Sequence, residues 1–293
     1  MLLPDEQCTN LFNFMTVTDQ DYQLFVFALK NSSKYDFSQY SEKSLKRRIQ
    51  KVLTDHQLTT ASLVTKMKSD PEFVENVVKE ITVNTTELFR DPQVWQAIRF
   101  NILPHFKSNS VINIWHAGCS TGQEVYSMLI LLNELNLLEK TKIYATDINT
   151  DVMDIAKLGE YRYRFNLSYL DNFDKVIKEN PYNYDEYKDV PYDKYFILDK
   201  STDAIRMQPF LRQKPVFKKH DLVTENNTLY VKFDLILCRN VIIYFNYNLQ
   251  CRVLDLFHQN LYENGCLMLG LHEAILGSHA SKFQKKGHAY FRN

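Results

Sequence analysis

Apolar residues recur at helical spacing along the first part of the chain. Phe25, Val26 and Leu29 fall on one side of a run, as do Leu45, Ile49 and Val52, and then Phe73, Val77 and Ile81. Thr18 supplies a capping-type start. Asp70-Pro71 marks another, because proline in a first turn gives up an N–H that has no partner there. Glycine is absent before Gly118. The pattern predicts a small helical domain over 1–82, with a linker from about 83.

The period changes near residue 110. Val111–Trp115 (VINIW) is a short buried-strand run, followed by Gly118, Gly122 and a helical stretch from Val125 to Leu138. Lys142–Ala145 (KIYA) leads to Asp147 and a helix over about 151–158. Phe233–Cys238 (FDLILC) precedes a helix over about 248–261, and Cys266–Leu271 (CLMLGL) follows a turn at Asn264-Gly265. Strands alternating with helices predict βαβ units and a mostly parallel sheet, so 83–293 reads as an α/β domain. Residues 160–232 interrupt it. They hold no glycine, are crowded with Tyr182, Tyr184, Tyr187, Tyr192 and Tyr195, and carry turn signals at Asn180-Pro181 and Val190-Pro191. Tyr195–Leu198 and Pro215–Lys218 are expected as short antiparallel strands of an insertion at about 190–220.

Composition narrows the function classes. Lys plus Arg and Asp plus Glu both number 35 in 293 residues, which excludes nucleic-acid binding driven by bulk charge. An apolar fraction of 45% against 24% charged residues excludes intrinsic disorder. No apolar run is long enough to span a membrane, and Met1–Asn10 carries Asp5 and Glu6 without a basic start, so no signal peptide is expected. Cys8, Cys119, Cys238, Cys251 and Cys266 form no C-x-x-C pair and fit reduced thiols of a cytoplasmic protein. The histidines show no metal-ligand spacing, so no metal is expected.

Four short segments carry candidate chemistry. His116–Glu124 (HAGCSTGQE) follows the first strand, and its small residues would let backbone approach a ligand closely; an ordinary tight turn would look the same. Asp147 ends the next strand, where an acid accepts hydrogen bonds from a ribose or simply caps a turn. Together they point to a nucleoside-containing cofactor. The missing G-x-G-x-x-G favours S-adenosylmethionine over nicotinamide, since a sulfonium cofactor has no phosphates to cradle. Asn84–Arg90 (NTTELFR) and Cys238–Phe245 (CRNVIIYF) read by residue type as a capped helix start and a core strand.

In order along the chain, ITVNTTELFRDPQVW (81–95), IWHAGCSTGQEVYSMLILL (114–132), IYATDINTDVMDIAKLGEYR (143–162) and FDLILCRNVIIYFN (233–246) resemble the CheR type of chemoreceptor glutamate methyltransferase. The likeness runs from about residue 20 to the end. It implies a helical domain joined to a Rossmann-like S-adenosylmethionine-dependent methyltransferase domain with a small antiparallel β-subdomain. The implied activity is methyl transfer to glutamate side chains of chemoreceptors, giving γ-methyl esters in sensory adaptation, with S-adenosylhomocysteine as co-product. By the same resemblance Asn84, Thr86 and Arg90 contact the cofactor from the linker side, and Glu124 follows its turn. Asp147 holds the ribose, Asp221 and Leu222 lie beside the adenine, and Arg239 and Asn240 line the methionine side. Arg90 and Tyr244 face the methyl group and acceptor.

The acceptor side is legible too. Lys43, Lys46, Arg47, Arg48 and Lys51 place five cations in nine residues with no acid among them. A solvated helix face is the usual reading of such a run; the resemblance makes it a docking surface for the acidic helices of a chemoreceptor or related signalling protein. No aromatic stacking set accompanies it, so nucleic acid is not an expected partner, and the chain is expected to be a monomer. It departs from the family at Gly270-Leu271-His272-Glu273, where G-H-S-E is common, at Gln123, where a second acid is common, and at Asp221, where Asn is common. Two alternatives remain: a methyltransferase for a non-chemotaxis signalling protein, and a non-catalytic cofactor-binding module. Some family members also tether to a receptor C-terminal peptide through a glycine-rich loop of the β-subdomain. Residues 160–264 contain no glycine, so a tether-independent protein is expected.

Overall fold

Among the described residues, 16–164 and 168–293 of a computed structural model, the first hydrophobic period folds as α1 (Asp19–Ser32), α2 (Glu42–Asp55), α3 (Thr60–Ser69) and α4 (Pro71–Ile81). Cys8 and the N-terminal stretch read for a signal lie outside the described residues. Thr18 and Asp21 form a reciprocal capping box on α1. The Asp70 side chain accepts from Phe73 N–H at 2.9 Å, with Pro71 in the first turn of α4. The apolar stripes Phe25/Leu29, Ile49/Val52 and Val77/Ile81 are buried against one another's helices. With Ile243–Gln250 these helices make up one compact unit.

The second unit comprises 84–242 and 251–293. Its sheet contains β1 (Ile112–Ala117), β2 (Thr141–Asp147), β6 (Pro215–Lys219), β7 (Phe233–Cys238), β8 (Leu261–Leu269), β9 (Phe283–Lys286) and β10 (Ala289–Arg292), in the order β6-β2-β1-β7-β8-β10-β9. Pairing is parallel from β6 through β8 and antiparallel at β10 and β9. All six residues of β7 are buried, as a near-continuous apolar run in a parallel sheet covered on both faces should be. Between β1 and β2 runs α6 (Gln123–Glu134), after α5 (Pro92–Ala97), and α7 (Thr150–Leu158) follows β2. The helix after β1 stops short of Leu138 because Asn136 takes a left-handed conformation, with φ +56°.

Two expectations about the insertion are corrected. Pro215–Lys219 is not an antiparallel strand; it pairs parallel with β2, Tyr144 opposite Val216, at the edge of the main sheet. Its alternating exposure and leading proline suit an edge strand. The small antiparallel sheet is instead β3 (Glu160–Arg162), β5 (Ala204–Met207) and β4 (Phe196–Asp199), in the order β3-β5-β4, so it draws one strand from upstream of 190. Among the described residues no helix is long and apolar enough to cross a membrane, and no group of three or more His, Cys, Asp or Glu could hold a metal ion.

Candidate functional site

The chain leaves β1 for β2 on one side and later returns to β7 on the other. The carboxyl ends of these strands therefore flank a topological switch point, the place where open α/β sheets bind ligands. The turn after β1 is held by backbone: Gly118 and Cys119 N–H both donate to the Thr146 carbonyl, at 2.8 and 2.9 Å. Gly118 sits at φ +83°, and a Cβ there would meet Val241 Cγ2 at 2.6 Å, so both conformation and space require glycine. Ser120 N–H donates to Asp147 Oδ2 at 2.8 Å, and Asn149 N–H to Oδ1 at 2.9 Å. Burial pushes the Asp147 carboxyl above its ordinary value, opposed by these N–H donors. The buried Ser120 hydroxyl has no hydrogen-bond partner. A glycine turn, a fixed carboxylate at the end of β2 and an unpartnered hydroxyl between them fit a nucleoside.

A second cluster lies at the start of α6. Glu124 accepts from His116 Nδ1 at 2.9 Å and from Arg239 Nη1 at 3.4 Å. Burial works to raise the Glu124 pKa, but the His116 hydrogen bond and the Arg239 charge together hold it below the ordinary value. Arg239, itself buried, donates Nη2 to Asp91 Oδ2 at 2.8 Å and to the Arg90 carbonyl at 2.9 Å. The segment before α5 is thereby tied to the end of β7. Phe89 N–H adds a bond to Ser127 Oγ at 2.7 Å, and Asn172 Nδ2 donates to the Leu88 carbonyl at 3.1 Å.

Asn84, Thr86 and Arg90 are half-buried on this same segment; the Arg90 guanidinium makes a long 3.5 Å contact to the Thr85 carbonyl. Asn240, at φ +59°, gives its N–H to Glu273 Oε2 at 2.7 Å, and the same oxygen takes Gly270 N–H at 2.6 Å. Asp221 and Leu222 are buried after β6. The Asp221 oxygens accept from Val223 N–H and Thr224 Oγ1, both at 2.8 Å, and burial raises this carboxyl as well. Gln123 is explained by its neighbours: its amide donates to the Tyr169 hydroxyl at 3.0 Å and accepts from Thr121 at 2.7 Å. Of nine non-glycine residues with positive φ among the described residues, Phe89, Asp91, Ser120 and Asn240 belong to this site. Such conformations cost roughly 1–3 kcal/mol each and collect where function over-determines the backbone. The parts taken by Asp91, Ser127 and Glu273, and the His116 bond to Glu124, carry no local signal, because each works through a tertiary contact.

Tyr244 belongs to the first unit. Its carbonyl accepts from Ser41 N–H at 2.7 Å, and Phe245 pairs edge-on with Tyr40 at 5.1 Å. Ser41 is the N-cap of α2, which carries the basic run. The five cations are not equally free. Lys46 pairs with Asp19 and with Glu42 at 2.6 Å, Lys51 pairs with Asp55, and Arg48 is half-buried. Lys43 and Arg47 are exposed and without an acidic partner among the described residues.

The comparisons agree on one lineage. The model of the CheR methyltransferase all-alpha domain matches 20–82, and that of the CheR methyltransferase SAM-binding domain matches 84–180 and 171–291. A Pseudomonas putida protein named Cher3 is 37% identical over 91% of this chain and 93% of its own length. The chemotaxis protein methyltransferase of Listeria monocytogenes is 29% identical over 88% of this chain and 91% of its own, and chemotaxis protein methyltransferase 1 of Vibrio cholerae is 28% identical over 90% and 92%.

Proposed function

Because the chain belongs to the CheR methyltransferase family, we propose that it methylates glutamate side chains on chemoreceptor cytoplasmic helices, working as a cytoplasmic monomer. It is an S-adenosylmethionine-dependent methyltransferase. The observation that carries the reading is Asp147, fixed by Ser120 and Asn149 N–H beside a glycine turn that lacks phosphate-binding spacing. In this reading Asp147 takes the ribose hydroxyls, Asp221 and Leu222 bound the adenine, and Glu124, Arg239 and Asn240 surround the methionine part. Asn84, Thr86 and Arg90 complete the site from the segment before α5.

S-adenosylmethionine supplies an electrophilic sulfonium methyl group when bound. The acceptor glutamate has an ordinary pKa of about 4.3 and is ionised at neutral pH, so no general base is needed to ready it as a nucleophile. What remains for the protein is to orient and partly desolvate that carboxylate. Arg90 offers a planar fork suited to the task, and the Tyr244 hydroxyl is a further donor. The names of the Listeria and Vibrio relatives support a chemotaxis role. The absence of glycine between 160 and 264 supports an enzyme that needs no receptor tail.

Titration calorimetry tests the cofactor part: heat with S-adenosylmethionine or S-adenosylhomocysteine and none with NAD is expected. Silence with both methyl-cofactor forms would sink the reading. Base-labile methyl incorporation into a receptor fragment, and not into small metabolites, tests the acceptor part.

A further inference from the structure

His116 is the last residue but one of β1, on the sheet face that also carries Ile112 and Ile114, and it is wholly buried. Its Nδ1 lies 2.9 Å from Glu124 Oε1, while its Nε2 is buried with no hydrogen-bond partner. A carboxylate accepts only, so Nδ1 carries the proton in this pair. A second proton on Nε2 would be a buried N–H with no acceptor, which fixes the bare nitrogen there. The ring is thus set as a one-sided donor aimed at Glu124.

Glu124 has two cationic or donor neighbours, and distance separates them. Arg239 reaches it only at 3.4 Å and is more closely engaged elsewhere, with Asp91 at 2.8 Å and the Arg90 carbonyl at 2.9 Å. His116 makes the shorter contact. Arg239 therefore supplies mainly charge balance to the cluster, and His116 supplies direction.

We propose that His116 is a positioning residue for the methyl donor: its Nδ1–H fixes the Glu124 carboxylate so that it can receive the cationic methionine end of the cofactor. This rests on the methyltransferase reading above and adds to it a residue to which the family resemblance assigns no role. Aliphatic or small side chains at 116 would fill the strand end but leave Glu124 free to turn wholly toward Arg239, where its charge is spent on a guanidinium instead of the ligand. Because the acceptor glutamate meets other residues, the effect falls on donor binding and not on the chemical step.

The test compares the wild type with His116→Leu and His116→Asn, whose amide nitrogen can stand where Nδ1 stands. Calorimetry with S-adenosylhomocysteine should show Kd at least about tenfold weaker for His116→Leu, with KM for the methyl donor raised in step and kcat little changed. His116→Asn should recover most of the loss. In a Glu124→Gln background the same two changes should have little further effect, since the residue acts through that carboxylate. Nitrogen-15 NMR of the wild-type imidazole needs no variant to fold and should report a protonated Nδ1 and a bare Nε2. An Nε2–H tautomer, or a His116→Leu protein with wild-type affinity, would overturn the proposal. A wild type that binds neither S-adenosylmethionine nor S-adenosylhomocysteine would instead overturn the methyltransferase reading itself.

Discussion

Glu273 Oε2 accepts the backbone N–H of Asn240 at 2.7 Å and, with the same oxygen, that of Gly270 at 2.6 Å. One buried carboxylate therefore joins the loop after β7 to the loop after β8, and Asn240 keeps its positive φ through that bond. A Cβ at Gly270 would come within 2.7 Å of Glu273 Oε2 and 2.9 Å of Asn240 N, so the junction has no slack.

Removing this acceptor strands two N–H groups. Each buried unsatisfied donor costs about 1–3 kcal/mol. Glu273→Ala should thus lower stability by several kcal/mol in urea titrations and weaken S-adenosylhomocysteine binding through Asn240. Glu273→Gln keeps a carbonyl oxygen and should lose less on both counts. Equal stability of the alanine variant and the wild type would argue against the clamp.

Arg90 lies on a segment secured by backbone contacts, and its guanidinium makes only a long bond to the Thr85 carbonyl among those resolved for it. Arg90→Ala should therefore leave the circular-dichroism spectrum and melting behaviour near those of the wild type. Methyl incorporation should fall by about a hundredfold, the scale of a misplaced reactant. Tyr244→Phe removes one hydroxyl and should lose about 1.5–3 kcal/mol of transition-state stabilisation, the range for a hydrogen bond to a charged group.

Glu134 at the end of α6 is bonded to Lys194 at 2.6 Å, Lys188 at 2.5 Å and the Tyr195 hydroxyl at 2.5 Å. Burial works against its charge, but these donors bring its pKa down to about 2. A depressed carboxylate stabilises the fold above its unfolded value, 4.5, and that contribution fades as pH falls toward 2. Glu134→Gln should consequently be less stable than the wild type at pH 7, with the gap narrowing below pH 4.5. Chemical denaturation at pH 7 and pH 3 measures both gaps.

On α2 the ion pairs sort the basic run. Lys43→Glu with Arg47→Glu should weaken binding to acidic receptor helices, and the wild-type affinity should drop as salt shortens the Debye length below its ~8 Å physiological value. Lys46→Ala should matter less, because Lys46 already serves Asp19 and Glu42. Calorimetric titration of receptor fragments with and without their C-terminal tails checks the same surface. Tight binding to an isolated tail, indifferent to the double reversal, would contradict a tether-independent enzyme.

Legibility followed how local each cause was. Phe233–Cys238 is legible to its limits because six consecutive buried residues leave their mark in composition alone. Thr18 and Asp70 announced α1 and α4 through caps that span three residues. Pro215–Lys218 reads as antiparallel in sequence but pairs parallel, because its partner is β2, far upstream, and an alternating edge strand does not declare its pairing direction. The turn after β1 and Asp147 were visible as residue types in the right places. Asp91 and Glu273 were not, since a carboxylate that serves Arg239 or Asn240 looks in sequence like any surface acid.

Gly118 lies against the Val241 side chain. An added methyl at 118 would press to 2.6 Å against the valine, which follows the strained Asn240. The turns after β1 and β7, distant in the chain, are thus mated surfaces with no clearance, and neither can drift without displacing the other. Val241 could shrink to relieve the crowding, but the φ of +83° at Gly118 would still bar a side chain there, so the freedom to vary belongs to one partner alone.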